Sequence, residues 1–315
     1  MPQVRAPVGP GVYTVDTEHV RPQVVASYLI VDRGRAAFVD TGVSASVPNL
    51  LRALDDLGID RGDVHHVLLT HIHLDHAGGA GKLVEALPNA RVWVHPRGAP
   101  HMVDPSMLIA ATQAVYGEQY FTEQYGDIAP IDAGRVTRVA DGERLEFGGR
   151  TLEFLHTPGH ALHHVCIVDR DAGHVFTGDT FGVSYREADN ASGSFIFPTT
   201  SPAQFDPGQL HASISRIEAL GPRCAYLTHY SRVDGIEKLA ADLHADIDEF
   251  VRIARGAARA PDRVRTIELE LYEHLNRRLD AHGFARDGAA RHAMLDFDVA
   301  LNAAGLDAWL TRTAA

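Results

Sequence analysis

Cysteine is nearly missing: Cys166 and Cys224 are the only two in 315 residues. That is too few for a disulfide framework or a cysteine-rich metal site, and it points to a reducing, cytoplasmic setting. No apolar run approaches the ~18–20 residues needed to span a bilayer, so no membrane partner is expected. The opening MPQVRAPVGPGVYTVD has one early arginine, Arg5, and lacks the apolar stretch of a secretory leader. Positive charge is also scarce, with 29 Lys and Arg against 41 Asp and Glu, a net charge of −12. A surface of that sign repels phosphate backbones, which argues against nucleic acid and for a small-molecule substrate. Low-complexity tracts and fixed-period repeats are absent too.

The composition is that of a globular chain, 45% hydrophobic and 22% charged, which excludes a disordered or collagenous protein. Its length allows one large domain or two ordinary ones. Histidine is abundant, at 19 residues. The first stretch reads as a β-meander: Gly11–Val15, Val24–Val31, a turn at Asp32–Gly34, then Ala36–Val39. Val47, Leu50, Leu51, Leu54 and Leu57 follow helical spacing, and Gly58 stops that helix. Val64–Leu69 reads as a buried strand, Lys82–Leu87 as a helix and Arg91–His95 as a short strand. Residues 98–135 break the rhythm and predict one or two aromatic-bearing helices, an insertion able to cover a pocket. A second strand-rich half follows. It comprises strands either side of the Glu146–Arg150 turn, a hairpin from His164–Val168 to His174–Phe176, and Ala225–Thr228. Beyond Gly235 the chain is nearly all helical, with breaks at Pro261 and Gly283. This order predicts a layered α/β architecture with mixed sheets.

The chemistry-bearing residues stand just after strands: Asp40, the group His71, His73, Asp75 and His76, then His160, Asp179 and His229. Loops leaving one edge of a sheet converge in space even when distant in sequence. In an extended segment residues i and i+2 share a side, so His71 and His73 can face one cation. Asp75 and His76 come where the chain turns into a helix, and can point to a neighbouring position. Imidazoles and carboxylates suit zinc first, and also iron or manganese. Five His and two Asp are too many for one tetrahedral ion but suit two divalent ions sharing a carboxylate and a hydroxide.

The string Thr70–His76, THIHLDH, resembles the HxHxDH signature of the metallo-β-lactamase superfamily. Val39–Gly42 (VDTG), Thr157–His160 (TPGH), Phe176–Asp179 (FTGD) and Leu227–His229 (LTH) are similar to its other motifs, in the same order. Any one of them alone is compatible with an ordinary turn; the ordered set, each member at a strand end, is not. The likeness spans roughly residues 11–232 and is nearest to glyoxalase II-like hydrolases. It implies a four-layer αββα sandwich in residues 1–235, with the helical insertion at 98–135, and an α-helical C-terminal extension over 236–315. It also implies that His71, His73 and His160 hold one ion, that Asp75, His76 and His229 hold the other, and that Asp179 bridges. Asp40 and Asp75 are the carboxylates it makes catalytic, Asp40 by orienting a ligand and fixing its tautomer.

The implied reaction is hydrolysis of an ester, thioester or lactone by a hydroxide shared between the ions, with no Ser or Cys nucleophile. Three other chemistries stay open on the same scaffold: a one-iron persulfide dioxygenase, a nuclease and a non-catalytic ligand sensor. Glyoxalase II enzymes carry a basic and aromatic glutathione-binding pattern in their C-terminal part. The tail here departs from it, running through Ile267–Tyr272, His274 and Leu295–Asp298 as a helical layer, cap or homodimer surface. Tyr116 and Tyr120 in the insertion, and Phe181, Tyr185 and Tyr230 just after ligand positions, are the candidate substrate contacts. His65, His66, His156, His163, His164 and His174 read as structural residues.

Overall fold

The computed structural model describes residues 6–200, 202 and 204–314; Arg5 lies outside them. The architecture is mixed α/β, built on two six-stranded sheets with a helical C-terminal extension. By internal packing the chain divides into two compact units. The first comprises residues up to His156, His163–Gly178 and Ala225–Arg232; the second comprises Thr157–Leu162, Asp179–Cys224 and the chain from Val233 onward.

The first unit carries the sheets, bar the end residues Cys224 and Val233. In the first sheet β1 (Val12–Asp16), β2 (Ala26–Asp32) and β3 (Arg35–Val39) are antiparallel, joined at the tight end by Arg33 and Gly34. Both turn residues have positive φ, 47° and 74°, as a two-residue hairpin that follows the strand twist requires. β3 then pairs in parallel with β4 (Val64–Leu68), reached through α1 (Val47–Leu57). That helix buries Val47, Leu50, Ala53 and Leu54 in the core beneath the sheet. It ends where Gly58 turns left-handed and its amide returns to Leu54 and Asp55.

The chain continues through α2 (Leu74–Ala77) and α3 (Ala80–Ala86) to β5 (Arg91–Val94). The insertion at 98–135 follows with three helices, α4 (Ala99–Val103), α5 (Ser106–Tyr116) and α6 (Glu118–Gln124), where one or two were expected. Its base is pinched. The Ile131 amide donates to the Met102 carbonyl at 2.8 Å, and the Arg135 guanidinium donates to the carbonyls of Val84, Leu87 and Ala90. Those acceptors lie at and just beyond the end of α3, where the helix no longer supplies a full set of donors. The edge strand β6 (Val136–Arg138) closes the first sheet.

The second sheet holds β7 (Arg144–Phe147), β8 (Arg150–His156), β9 (Val165–Asp169) and β10 (His174–Gly178) as antiparallel neighbours. Beyond α7 (Pro207–Glu218), β11 (Cys224–Leu227) and β12 (Ser231–Val233) complete it. Cys166 and Cys224 are both buried within strands.

The second unit is helical: α7, then α8 (Ile236–Ala257), α9 (Arg263–His282) and α10 (Gly288–Ala314). On α9 Ile267, Leu271, Leu275 and Leu279 repeat every fourth residue and are fully buried, the stripe that packs a helix onto neighbours. Among them sits a buried charge, Asp246, held by Arg278 and by His274 at 2.8 Å. Among the described residues, no helix is long and apolar enough to cross a membrane.

Candidate metal centre

In the first unit the strand ends of both sheets meet at Asp40. This residue leaves β3 with φ 55°, a left-handed turn that Asp tolerates, and its carboxylate is buried. Oδ1 accepts from the Thr70 amide at 2.8 Å. Oδ2 accepts from the Thr70 hydroxyl at 2.8 Å, the Thr228 hydroxyl at 3.0 Å and His76 Nδ1 at 2.9 Å. One carboxylate thus ties the ends of β3, β4 and β11 to a histidine.

The segment after β4 alternates as its extended shape dictates. Ile72 turns into the core, while His71 and His73 share the other side with His71 Nε2 2.9 Å from His73 Nδ1. His73 then opens α2, whose first turn carries Asp75 and His76. His229 follows β11, and its Nδ1 donates to the Val24 carbonyl at 3.0 Å. The Nε2 atoms of His76 and His229 both face Asp75 Oδ2, each at 3.4 Å. One ligand atom from each of Asp75, His76 and His229 lies within 4.8 Å of the others, a group able to hold a metal ion. Burial works against the Asp75 charge, yet His76 and His229 outweigh it and hold the carboxyl well below the usual carboxylate range.

Gly178 ends β10 with φ 49°, and a Cβ there would lie 2.5 Å from His164 Nε2 and 2.8 Å from Thr70. Glycine is required for the chain to pass this point. In the second unit His160 Nε2 stands 3.3 Å from Asp179 Oδ2, and its Nδ1 is 3.3 Å from the Thr199 carbonyl. The loop bearing His160 is backed by α7. The Asp206 amide donates to the Gly159 carbonyl at 2.8 Å, and the Ser213 hydroxyl donates to the Pro158 carbonyl at 2.6 Å.

A common pattern runs through these imidazoles. Nδ1 of His76, His160 and His229 is engaged by a carboxylate or a backbone carbonyl, and Nε2 faces a carboxylate. His71 likewise has Nδ1 3.2 Å from the Thr70 hydroxyl. Anchoring the rear nitrogen fixes the tautomer that leaves the front nitrogen able to bind a metal. The residues present fit divalent ions on this chemistry.

Of the candidate substrate contacts, Tyr116 and Tyr120 stack at 5.4 Å on the insertion. Burial and then the Asp75 charge raise both phenols, Tyr116 to about 12, so both feel the field of that carboxylate. Phe181 is fully buried, and the Tyr185 hydroxyl bonds Asp298 at 2.9 Å in the helical extension. Tyr230 is 7% exposed. The sequence reading did not single out Thr70 and Thr228, which fasten Asp40, nor the Val24 and Thr199 carbonyls. A hydroxyl one residue before each of two candidate ligand histidines was the legible sign; a carbonyl partner leaves none.

The chain belongs to the metallo-beta-lactamase superfamily, whose family model matches residues 20–229. It is 26% identical over 212 residues to the metallo-beta-lactamase fold-containing protein ST1585 of Sulfurisphaera tokodaii, covering 66% of this chain and 73% of that one. It is 28% identical over 193 residues to a hydroxyacylglutathione hydrolase of Aeromonas hydrophila, covering 61% of this chain and 56% of the hydrolase. Among solved structures it resembles the metallo-beta-lactamase family protein TTHA1429 of Thermus thermophilus, with TM-score 0.68 and 25% identity over 97% of this chain and 95% of that one.

Proposed function

We propose that the chain is a dinuclear metal-dependent hydrolase acting on an ester, thioester or lactone carbonyl. In this reading His71, His73 and His160 hold one ion, Asp75, His76 and His229 hold the other, and Asp179 is shared. The observation that carries it is the rear anchoring of His71, His76, His160 and His229, each with its second nitrogen turned to another ligand candidate. Similarity to a hydroxyacylglutathione hydrolase supports an acyl substrate. Scarce cysteine supports a reducing, cytoplasmic setting.

When bound, two divalent ions lower the pKa of water towards neutrality and polarise a carbonyl. The protein's own groups do the rest. Asp75, held ionised by its two histidines, supplies negative charge at neutral pH. Asp40 keeps the His76 proton on Nδ1. Tyr116 and Tyr120, raised above their ordinary value by burial and then by the Asp75 charge, stay protonated at neutral pH.

Elemental analysis and a panel of thioesters, lactones and phosphodiesters test the proposal. Two divalent ions per chain are expected, with acyl turnover that disappears in His73→Ala and in Asp179→Ala. Turnover surviving in demetallated protein would overturn it, as would one iron per chain with oxygen uptake.

A further inference from the structure

A second cluster of histidines lies in the helical unit, on residues the proposed hydrolytic site does not use. His211 and Ser215 stand one turn apart on α7, and His244 and Asp248 stand one turn apart on α8. The two imidazole rings are nearly parallel, 12° apart, with centroids 4.9 Å from each other. Their Nδ1 atoms approach to 2.6 Å. The Asp248 carboxylate lies 3.3 Å from His211 Nε2, and the Ser215 hydroxyl lies 3.5 Å from His244 Nε2.

Two nitrogens at that separation repel unless a proton or a cation lies between them. We propose that His211 and His244 form a transition-metal clip joining α7 to α8, of the kind that takes zinc, copper or nickel. Imidazole is the ligand these ions share. Metal–nitrogen bonds of about 2.0–2.1 Å to two rings that face each other head-on hold the nitrogens roughly 4 Å apart, so seating an ion needs the rings to part by about 1.5 Å. His211 is 29% exposed and Asp248 80% exposed, so an ion reaches the pair from solvent without unfolding. Burial and then the neighbouring His211 lower the pKa of His244, which favours the neutral imidazole a metal needs.

The clip has a structural reach. His211 is next to Leu210, against whose backbone nitrogen a Gly159 Cβ would lie at 2.3 Å, and Gly159 precedes His160. Fixing α7 to α8 therefore stiffens the support of a proposed active-site ligand.

The test is equilibrium dialysis of the full chain against zinc alone at low micromolar free metal. Wild type is compared with His211→Gln/His244→Gln, and circular dichroism verifies that both fold. Both substitutions keep polar side chains at partly exposed helix positions. The variant is expected to hold one zinc per chain fewer, and to gain less in Tm when zinc is added. Because only the difference is read, the result does not depend on how many ions the hydrolytic site takes. Equal stoichiometry and an equal zinc-dependent rise in Tm would overturn the clip and leave the pair sharing a proton only.

Discussion

Replacing Asp40 by Asn keeps the shape of the side chain and removes its charge. The carboxylate receives the Thr70 amide on Oδ1 and three donors on Oδ2, from Thr70, Thr228 and His76. An amide oxygen can replace Oδ1, but the amide NH2 then confronts the three donors. The two hydroxyls can rotate; the imidazole can relieve the conflict only by moving its proton to Nε2, the nitrogen that faces Asp75. One charge-assisted hydrogen bond is lost, about 1.5–3 kcal/mol of stability. His76, a proposed metal ligand, is also left in the wrong tautomer, which costs roughly 10–100-fold in metal affinity. Chelator competition and urea unfolding of the same preparations measure the two effects. An Asp40→Asn protein with wild-type metal affinity would refute the tautomer argument, whatever its stability.

Acid should destabilise the fold even after demetallation. Burial foremost, and then neighbouring positive charge, lowers both His66 and His95 to about 4. Between about 6.5 and 4 the unfolded chain therefore binds protons that the native chain refuses, and stability falls as pH falls through that window. Urea midpoints measured in chelator from pH 7.5 down to 4.5 should decline, and a flat profile would contradict the burial of these rings. Gly159→Ala should destabilise by about 1–3 kcal/mol, since φ is 130° and the added methyl meets Leu210 backbone; thermal unfolding reads this, and an unchanged Tm would show that α7 yields. Tyr185→Phe, which leaves the buried Asp298 without this hydroxyl, should cost about 1–3 kcal/mol in urea unfolding; an unchanged midpoint would show that Asp298 does not need it.

The candidate site was legible because its residues stand just past strands: Asp40 after β3, His71, His73, Asp75 and His76 after β4, and His229 after β11. The tail helices were legible from their spacing, and the breaks fall beside Pro261 and at Gly283, where α9 ends left-handed. α7 was not foreseen, although its start carries a plain signal. Asp206 accepts from the Gln209 amide, Pro207 opens the helix, and Leu210, Ile214 and Ile217 form its buried stripe. β6 and β12, three residues each, are too short for any alternation to show. The rear anchors at Val24 and Thr199 escape for a related reason: a backbone acceptor carries no residue identity.

The pinched base of the insertion bears on how substrate choice could diverge. Met102 and Ile131 close the segment between them, and Arg135 rivets its exit to the end of α3. What lies between those points includes Tyr116 and Tyr120, and it also touches the body of the unit where Phe121 and Ile128 pack against Leu74. Lengthening such a closed loop costs little, about 0.6 kcal/mol per doubling. Selection can thus vary the length of this segment while its two tied ends stay in place.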